Sequence, residues 1–396
     1  MRHFHCRFDA TLVTTTLVTH LVAALHLRAY KRSVSAPLLG RLLLLAAATG
    51  RSLSALAQRC DAAPSDEAVR LALHYNLPPT GLALLDHLLD VLHQFVPPPF
   101  RRRRPVPAAL DLHLRPYYGA VDTPGTCGGK RQAGTNRFWG YGTLVLLHRG
   151  LRLNVGLCPV DRRQSLVVVV RTLVEQAQAR GLRLRWLLLD RGFYDAQVIR
   201  YLQQQQLPFA LPMIRRGDAD RGTGTQRFFR RGGRAGWSSY TWTARPWQVD
   251  PATGAKRRQR GFTVRVRVCV CPRPTGRPWV FVAWGLTWEP GLLAQRYRRR
   301  FGIETSYRQL GECLAQTTSK EARVRLLLVG LALLLRQYWA WAHYVVLAQV
   351  LGNGHRRLRP GLWRLADLGQ WLLLQLSDQL RCRLETEART PIIPRV

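Results

Sequence analysis

Apolar residues recur with two different spacings along this chain, and the changeover falls near residue 105. Before it, leucine-rich segments repeat at helical spacing. Ser52 and Ser65 stand where N-caps belong, one ahead of a helix ending at Arg59 and one ahead of a helix beginning Asp66-Glu67. The turn at 60–64 between them fits a helix-turn-helix as well as two packed helices. A third helix covers 81–95 and stops at Pro97-Pro98-Pro99. Beyond residue 105 the pattern turns to strands at 108–114, 138–147 and 151–158, the last two joined through His148-Arg149-Gly150. A helix at 165–180 closed by Gly181 comes next, then an apolar strand at 182–189, a helix at 195–205 and a strand at 208–214. Three strands, helix, strand, helix, strand predicts a mixed sheet with helical cover. From 215 to 286 only strands are expected. There Val264, Val266, Val268 and Val270 alternate with Arg265, Arg267, Cys269 and Cys271, giving one apolar face and one that opens with two arginines. Another strand covers 279–284. Helical spacing returns at Gly291 and runs with breaks to about 383, and the tail from Glu385, with Pro391 and Pro394, reads as extended.

Of 396 residues, 47% are apolar and no internal repeat is present, which suits two or three structural units with a real core. Two apolar runs imitate membrane spans. Residues 12–27 are broken by threonines and His20, and residues 326–335 meet Arg336, short of the ~20 clean residues a span needs. No membrane association and no leader segment is expected.

Charge narrows the class of partner. Sixty Lys+Arg stand against 23 Asp+Glu, a formal net charge of +37, and only Lys31, Lys130, Lys256 and Lys320 are lysines. A folded chain so charged repels itself unless a polyanion lies near, and nucleic-acid phosphates answer an extended basic surface. Arg101, Arg102, Arg103 and Arg104 cannot pack together, so they read as an exposed linker and phosphate contact. Eight cysteines and eleven histidines show no metal-ligand spacing, and reduced core thiols in a cytoplasmic, nucleoid-associated protein are expected. The expected division is a helical DNA-binding domain at 1–100, a core at 101–214, a β-rich insertion at 215–286, the rest of the core at 287–345, and a helical region with tail at 346–396.

Acids are scarce, so those in apolar settings are informative. Asp111 lies inside the strand, and Asp190 ends the run Trp186-Leu187-Leu188-Leu189 just before Arg191-Gly192. A carboxylate so placed is costly unless it pairs or binds metal. Asp122 is an alternative to Asp111, and a salt bridge to Arg191 an alternative role for Asp190. On a helix at 292–315, ~100° per residue puts Tyr297, Arg300, Glu304 and Arg308 on one stripe. That spacing fits ordinary i,i+4 ion pairs as well as a metal-binding glutamate inside an arginine fork. Three carboxylates suit hard divalent cations, one activating water or a 3′-hydroxyl and one stabilising the leaving oxygen. Nearby arginines balance charge on the phosphate.

The order Asp111, then Asp190-Arg191-Gly192-Phe193, then Tyr297-x-x-Arg300-x-x-x-Glu304 resembles the DDE transposases of bacterial and archaeal insertion sequences. It is most similar to the insertion-sequence-four superfamily, which carries a β insertion before its glutamate. The phrase Arg300-Phe301-Gly302-Ile303-Glu304-Thr305-Ser306-Tyr307-Arg308 is the strongest match, and the resemblance covers about residues 105–345. It implies an α/β (α+β) fold: a ribonuclease-H-like mixed-sheet core with the β insertion, flanked by helical regions. It implies Asp111, Asp190 and Glu304 as catalytic ligands of Mg2+, with Mn2+ an alternative. Tyr297, Arg300, Arg191 and Arg308 are the implied DNA contacts, and Trp284 and Trp288 the candidates for stacking a flipped base. The family's lysine seven residues after the glutamate is Gly311 here, with Arg308 a stand-in. Double-stranded DNA (terminal inverted repeats and target) is the expected partner of a homodimer. The alternatives are a related nuclease or decayed copy and a non-catalytic DNA-binding repressor. The glycine-rich stretch 125–134 reads as a mobile turn, and Asp195 as a helix cap.

Overall fold

The computed structural model describes residues 8–383 except 102, 103, 121, 149, 219, 220, 222, 223, 230–234, 246, 251, 252, 254, 259, 274, 352–355 and 360, and gives the backbone alone at 248, 249, 256, 301 and 303–306. The tail expected to be extended, and Arg102 and Arg103 of the arginine linker, lie outside the described residues. Along the chain come α1 (Ala10–Ala24), α2 (Ala36–Thr49), α3 (Leu53–Ala57), α4 (Asp66–Asn76), α5 (Gly81–Gln94), the single turn α6 (Pro98–Arg101), β1 (Val106–Pro116), β2 (Cys127–Gln132), β3 (Thr135–His148), β4 (Leu151–Val160) and α7 (Leu166–Ala179). Then follow β5 (Leu184–Leu189), α8 (Ala196–Gln204), β6 (Phe209–Pro212), β7 (Gly236–Ala244), β8 (Trp247–Val249), β9 (Lys256–Arg258), β10 (Phe262–Cys271), β11 (Trp279–Trp284), α9 (Pro290–Arg298), α10 (Gly302–Glu312), α11 (Ala322–Val345), β12 (Gln349–Val350), β13 (Arg356–Arg357) and α12 (Leu365–Gln379).

The chain divides into two compact units, Met1–Val91 with Gln309–Val396, and Leu92–Arg308. The first is helical. Short polar side chains start its helices: Asp9, Ser35, Ser52 and Ser65 each accept a backbone N–H from the first turn. Helix α2 is buried on nearly every side from Leu39 to Ala47. The same holds for α11, whose 24 residues extend the apolar run at 326–335 well past its ends. By length and composition α11 could cross a membrane, but most of it lies inside this unit, packed on α2 and α12. Gly330 admits Leu88 so closely that a Cβ there would stand 2.5 Å from the leucine.

The second unit is built on a nine-stranded mixed sheet in the order β2-β3-β1-β5-β6-β11-β10-β7, with β4 also paired to β3. β4, β3 and β1 run antiparallel, while β1, β5 and β6 are parallel neighbours. Right-handed strand-helix-strand crossovers need covering helices, and α8 supplies the one between β5 and β6. The architecture agrees with the expected ribonuclease-H-like core. Within the β-rich segment β11 pairs with β6, and β10 and β7 continue the same sheet, while β8 and β9 pair as a separate two-stranded sheet. The glycine-rich stretch 125–134 is not a free turn but holds β2, which pairs with β3 in a hairpin closed by Ala133 (φ 47°) and Gly134 (φ 81°). Period-2 alternation decides the faces of β3. Gly142 meets α7, where an added Cβ would stand 2.8 Å from Val169, and Thr143 faces the other way.

Candidate active site

One apolar face of the sheet leads straight to the candidate acids. Ala109, Val145, Trp186, Leu188, Ala210, Phe281 and Leu293 share a buried cluster with Tyr297. The next same-face position after Ala109 is Asp111, and the next after Leu188 is Asp190. In the parallel pairing of β1 and β5, Leu110 is level with Leu189. Asp111, midway along β1, therefore stands level with Asp190, which immediately follows the carboxyl end of β5, the end at which open α/β sheets place their ligands. Asp111 is 6% exposed. Asp190 leaves the strand, begins a 3-10 turn over Arg191–Phe193, and accepts the Gly192 N–H at 3.3 Å.

The helix expected at 292–315 is broken, and the break shapes the site. α9 ends at Arg298, a 3-10 turn spans Arg299–Phe301, and α10 begins at Gly302. Two anchors fix the break. The Tyr297 hydroxyl donates to the Leu189 carbonyl at 3.0 Å, and the Arg152 guanidinium donates to the Arg299 carbonyl at 2.6 Å. Burial pushes the Tyr297 phenol above its ordinary range, so it remains a donor. Arg300 is turned inward from this break. Its guanidinium reaches Asp111 at 2.8 Å and Asp190 at 3.3 Å, with the side chain only 4% exposed. One buried cation thus bridges both carboxylates, a pairing that sequence spacing did not reveal.

A second anchor lies further along α10. The Tyr307 hydroxyl shares a 2.6 Å hydrogen bond with Thr143, the cross-strand partner of Asp111, and the Tyr307 ring stacks on His113 with centroids 4.7 Å apart. His113 is held well below its usual range, at about 4, by burial and then by Arg115, so it is neutral near pH 7. Glu304 sits on the α10 backbone between Arg300 and Tyr307, the two residues tied to Asp111 and its partner. Its side chain lies outside the described residues.

Other expected residues fall elsewhere. Asp122 is exposed and pairs with Arg162, whereas Asp111 is the acid that shares Arg300 with Asp190. Arg308 is exposed on α10. Asp195 caps α8 by accepting the Gln197 and Val198 N–H groups. Gly311 has nothing within 4 Å of where a side chain would start. Trp288 packs edge-on to Trp186 with Arg296 over its ring, and Trp284 ends β11 opposite Phe209. Neither lines the opening beside the acids. That opening, about 390 Å³, is bounded by Asp190, Arg191, Phe229, Trp279, Tyr297 and Arg300 among others. A neighbouring cavity of about 560 Å³ shares Arg191, Met213 and Phe229 and adds Arg215. Trp279 does line the opening beside the acids, with Arg273 and Arg298 at 5.5 and 5.2 Å from its ring.

The donor set suits a divalent cation. Level, converging carboxylate oxygens are hard ligands, and a buried guanidinium already stands between them as a cation. Among the described residues no three His, Cys, Asp or Glu side chains gather, Asp111 and Asp190 being the described part of the expected set.

A family model described as the transposase DDE domain matches residues 118–336, more than half of the chain. Asp190, Tyr297, Arg300 and Glu304 lie within the match, and Asp111 lies seven residues before it. Among solved structures the chain is similar to the piggyBac transposase in a synaptic complex with hairpin DNA, at 12% identity and a TM-score of 0.50, over 100% of this chain and 84% of that one. No curated protein matches the chain.

Proposed function

The chain belongs to the transposase DDE-domain family, and from that premise we propose that this DNA transposase cuts phosphodiester bonds at insertion-sequence ends and joins the freed 3′ ends to target DNA, with Asp111, Asp190 and Glu304 as its metal ligands. The carrying observation is the level placement of Asp111 and Asp190 on adjacent parallel strands, bridged by the buried Arg300. Two Mg2+ ions, or Mn2+ in their place, would supply Lewis-acid activation of the attacking oxygen and stabilisation of the leaving one.

The chain's own residues do the rest. Asp111 is immobilised inside β1 and holds its carboxylate in place. Asp190, more exposed, faces the opening through which DNA reaches the site. Arg300, once released from the acids, remains beside them to neutralise phosphate charge. Tyr297 fixes the helix that delivers Arg300. Arg191 lines both cavities and suits a phosphate, while Trp279 offers an aromatic face to a base turned out of the stack. Arg308 is exposed for a further phosphate contact. The β strands before the glutamate helix support membership of the insertion-sequence-four type. Two transposon ends require two copies, so a homodimer on DNA, acting at the nucleoid in the cytoplasm, completes the proposal.

The test is strand cleavage of a supercoiled plasmid carrying the element's inverted repeats, comparing wild type with Asp190→Asn and Glu304→Gln. Cleavage by wild type alone, and only with Mg2+ or Mn2+, is the expected result. Equal cleavage by all three proteins would sink the assignment.

A further inference from the structure

Cys60 and Cys382 face each other in an isolated antiparallel bridge, 322 residues apart in sequence. The backbone bonds of this crossing lie on their neighbours. The Asp61 N–H donates to the Arg381 carbonyl at 3.2 Å, and the Arg383 N–H donates to the Arg59 carbonyl at 2.8 Å. Cys60 and Cys382 are therefore a non-hydrogen-bonded pair, the kind whose Cα atoms stand about 4.5 Å apart with side chains closest. Disulfides span that separation. An ion pair from Arg383 to Asp61 at 2.7 Å fixes the same crossing. Cys60 is buried, while Cys382 is partly exposed on the wall of a cavity of about 640 Å³ that Arg51, Arg59 and Arg383 also line.

We propose that Cys60 and Cys382 form a disulfide, closed by a small anionic disulfide such as oxidised glutathione that enters this arginine-lined cavity. Cys382 attacks first, because burial and the neighbouring thiol hold Cys60 up at about 12 and keep it protonated. The Cys382 thiolate breaks the S–S bond of the oxidant, forms a mixed disulfide and releases one thiolate. Cys60 then gives up its proton and attacks the Cys382 sulfur, expelling the second thiolate. Two protein thiols lose two electrons and two protons, and the oxidant becomes two thiols. The other close pair, Cys269 and Cys271 with sulfurs 3.7 Å apart, sits two residues apart on β10 and is buried. The bond would clasp the segment after α12 to the turn after α3, closing a loop of several hundred residues. Such a closure restricts the unfolded chain strongly.

The full chain would be incubated with oxidised glutathione, alkylated, digested without reductant and mapped by mass spectrometry, with thermal melting in parallel. A crosslinked 60–382 peptide, and a reversible rise in Tm on the order of 5 °C or more, is the expected result. The rise would disappear with dithiothreitol and be absent in Cys60→Ser and in Cys382→Ser. Mapping needs only the wild-type chain, so a variant that folds poorly leaves the test intact. A crosslink between other cysteines, glutathione retained on Cys382 without loss of the second thiol, or no crosslink at all would each overturn the proposal. None of these readouts depends on DNA cleavage.

Discussion

Arg300 reduces the repulsion between the two acids, because its one positive charge is shared by both carboxylates and offsets part of their charge. Removing one partner of a buried ion pair strands the other, at a cost of about 3–5 kcal/mol when burial is complete. Asp190 is part-exposed, so the smaller figure applies here. Arg300→Gln should therefore melt lower than wild type in EDTA and gain more from added Mn2+, since the metal alone then balances the acids. A melt with the same metal response as wild type would show that Arg300 and the cation do not compete for the carboxylates. Burial acts on a second residue in the helical unit. His343, 2% exposed, shares a 2.6 Å hydrogen bond with the Trp363 carbonyl. Burial holds it below its ordinary value of 6.5 despite that bond. The unfolded chain then takes up a proton near pH 6.5 that the folded chain refuses, so stability falls as pH drops below that value. His343→Gln keeps a donor for the carbonyl and removes the titration. Its denaturant midpoint should fall less than that of wild type between pH 7 and pH 5.5.

Elements were easier to read than the contacts between them. The strands carrying Asp111 and Asp190 were legible because each acid continues the in-facing alternation of an apolar run. The break at Arg299–Phe301 was not legible. Nothing local forbids a continuous helix there, and the causes, Leu189 and Arg152, lie more than a hundred residues away in sequence. The β2 hairpin was hidden by its glycines, which usually mark turns. The seating of α10 gives one element-scale prediction. Tyr307→Phe keeps the ring on His113 and removes the bond to Thr143, so stability should change by about 1 kcal/mol. The glutamate helix would lose its tether beside Asp111, and cleavage should fall by roughly ten- to a hundredfold. It should also need more Mn2+ for half-maximal rate, a shift that loss of folded protein alone would not cause. The packing of α7 gives another. Gly142→Ala places a methyl 2.8 Å from Val169 and should destabilise the protein by about 1–3 kcal/mol in denaturant unfolding. An unchanged midpoint would mean that the helix shifts freely on the sheet.

At the scale of the whole molecule, a charge of +37 on 396 residues is the property that every local contact inherits. Most of that charge is arginine. Part of it lies over aromatic rings, as with Arg216 over Tyr194 and Trp242, or Arg227 over Phe228 and Tyr240. A guanidinium lying on a ring is held in place while its charge stays available, so phosphate contacts form with less ordering of side chains. Binding should then be dominated by counterion release. The logarithm of the association constant should fall linearly with the logarithm of salt concentration, and six to ten phosphate contacts would lower affinity by about 10³–10⁵-fold between 50 and 200 mM salt. Fluorescence anisotropy with labelled duplex across that range measures the slope. Neutralising Arg216 or Arg227 with glutamine should reduce the slope by roughly one contact each on any sequence. A slope near zero, with tight binding retained, would show that the chain holds DNA through contacts other than its arginines.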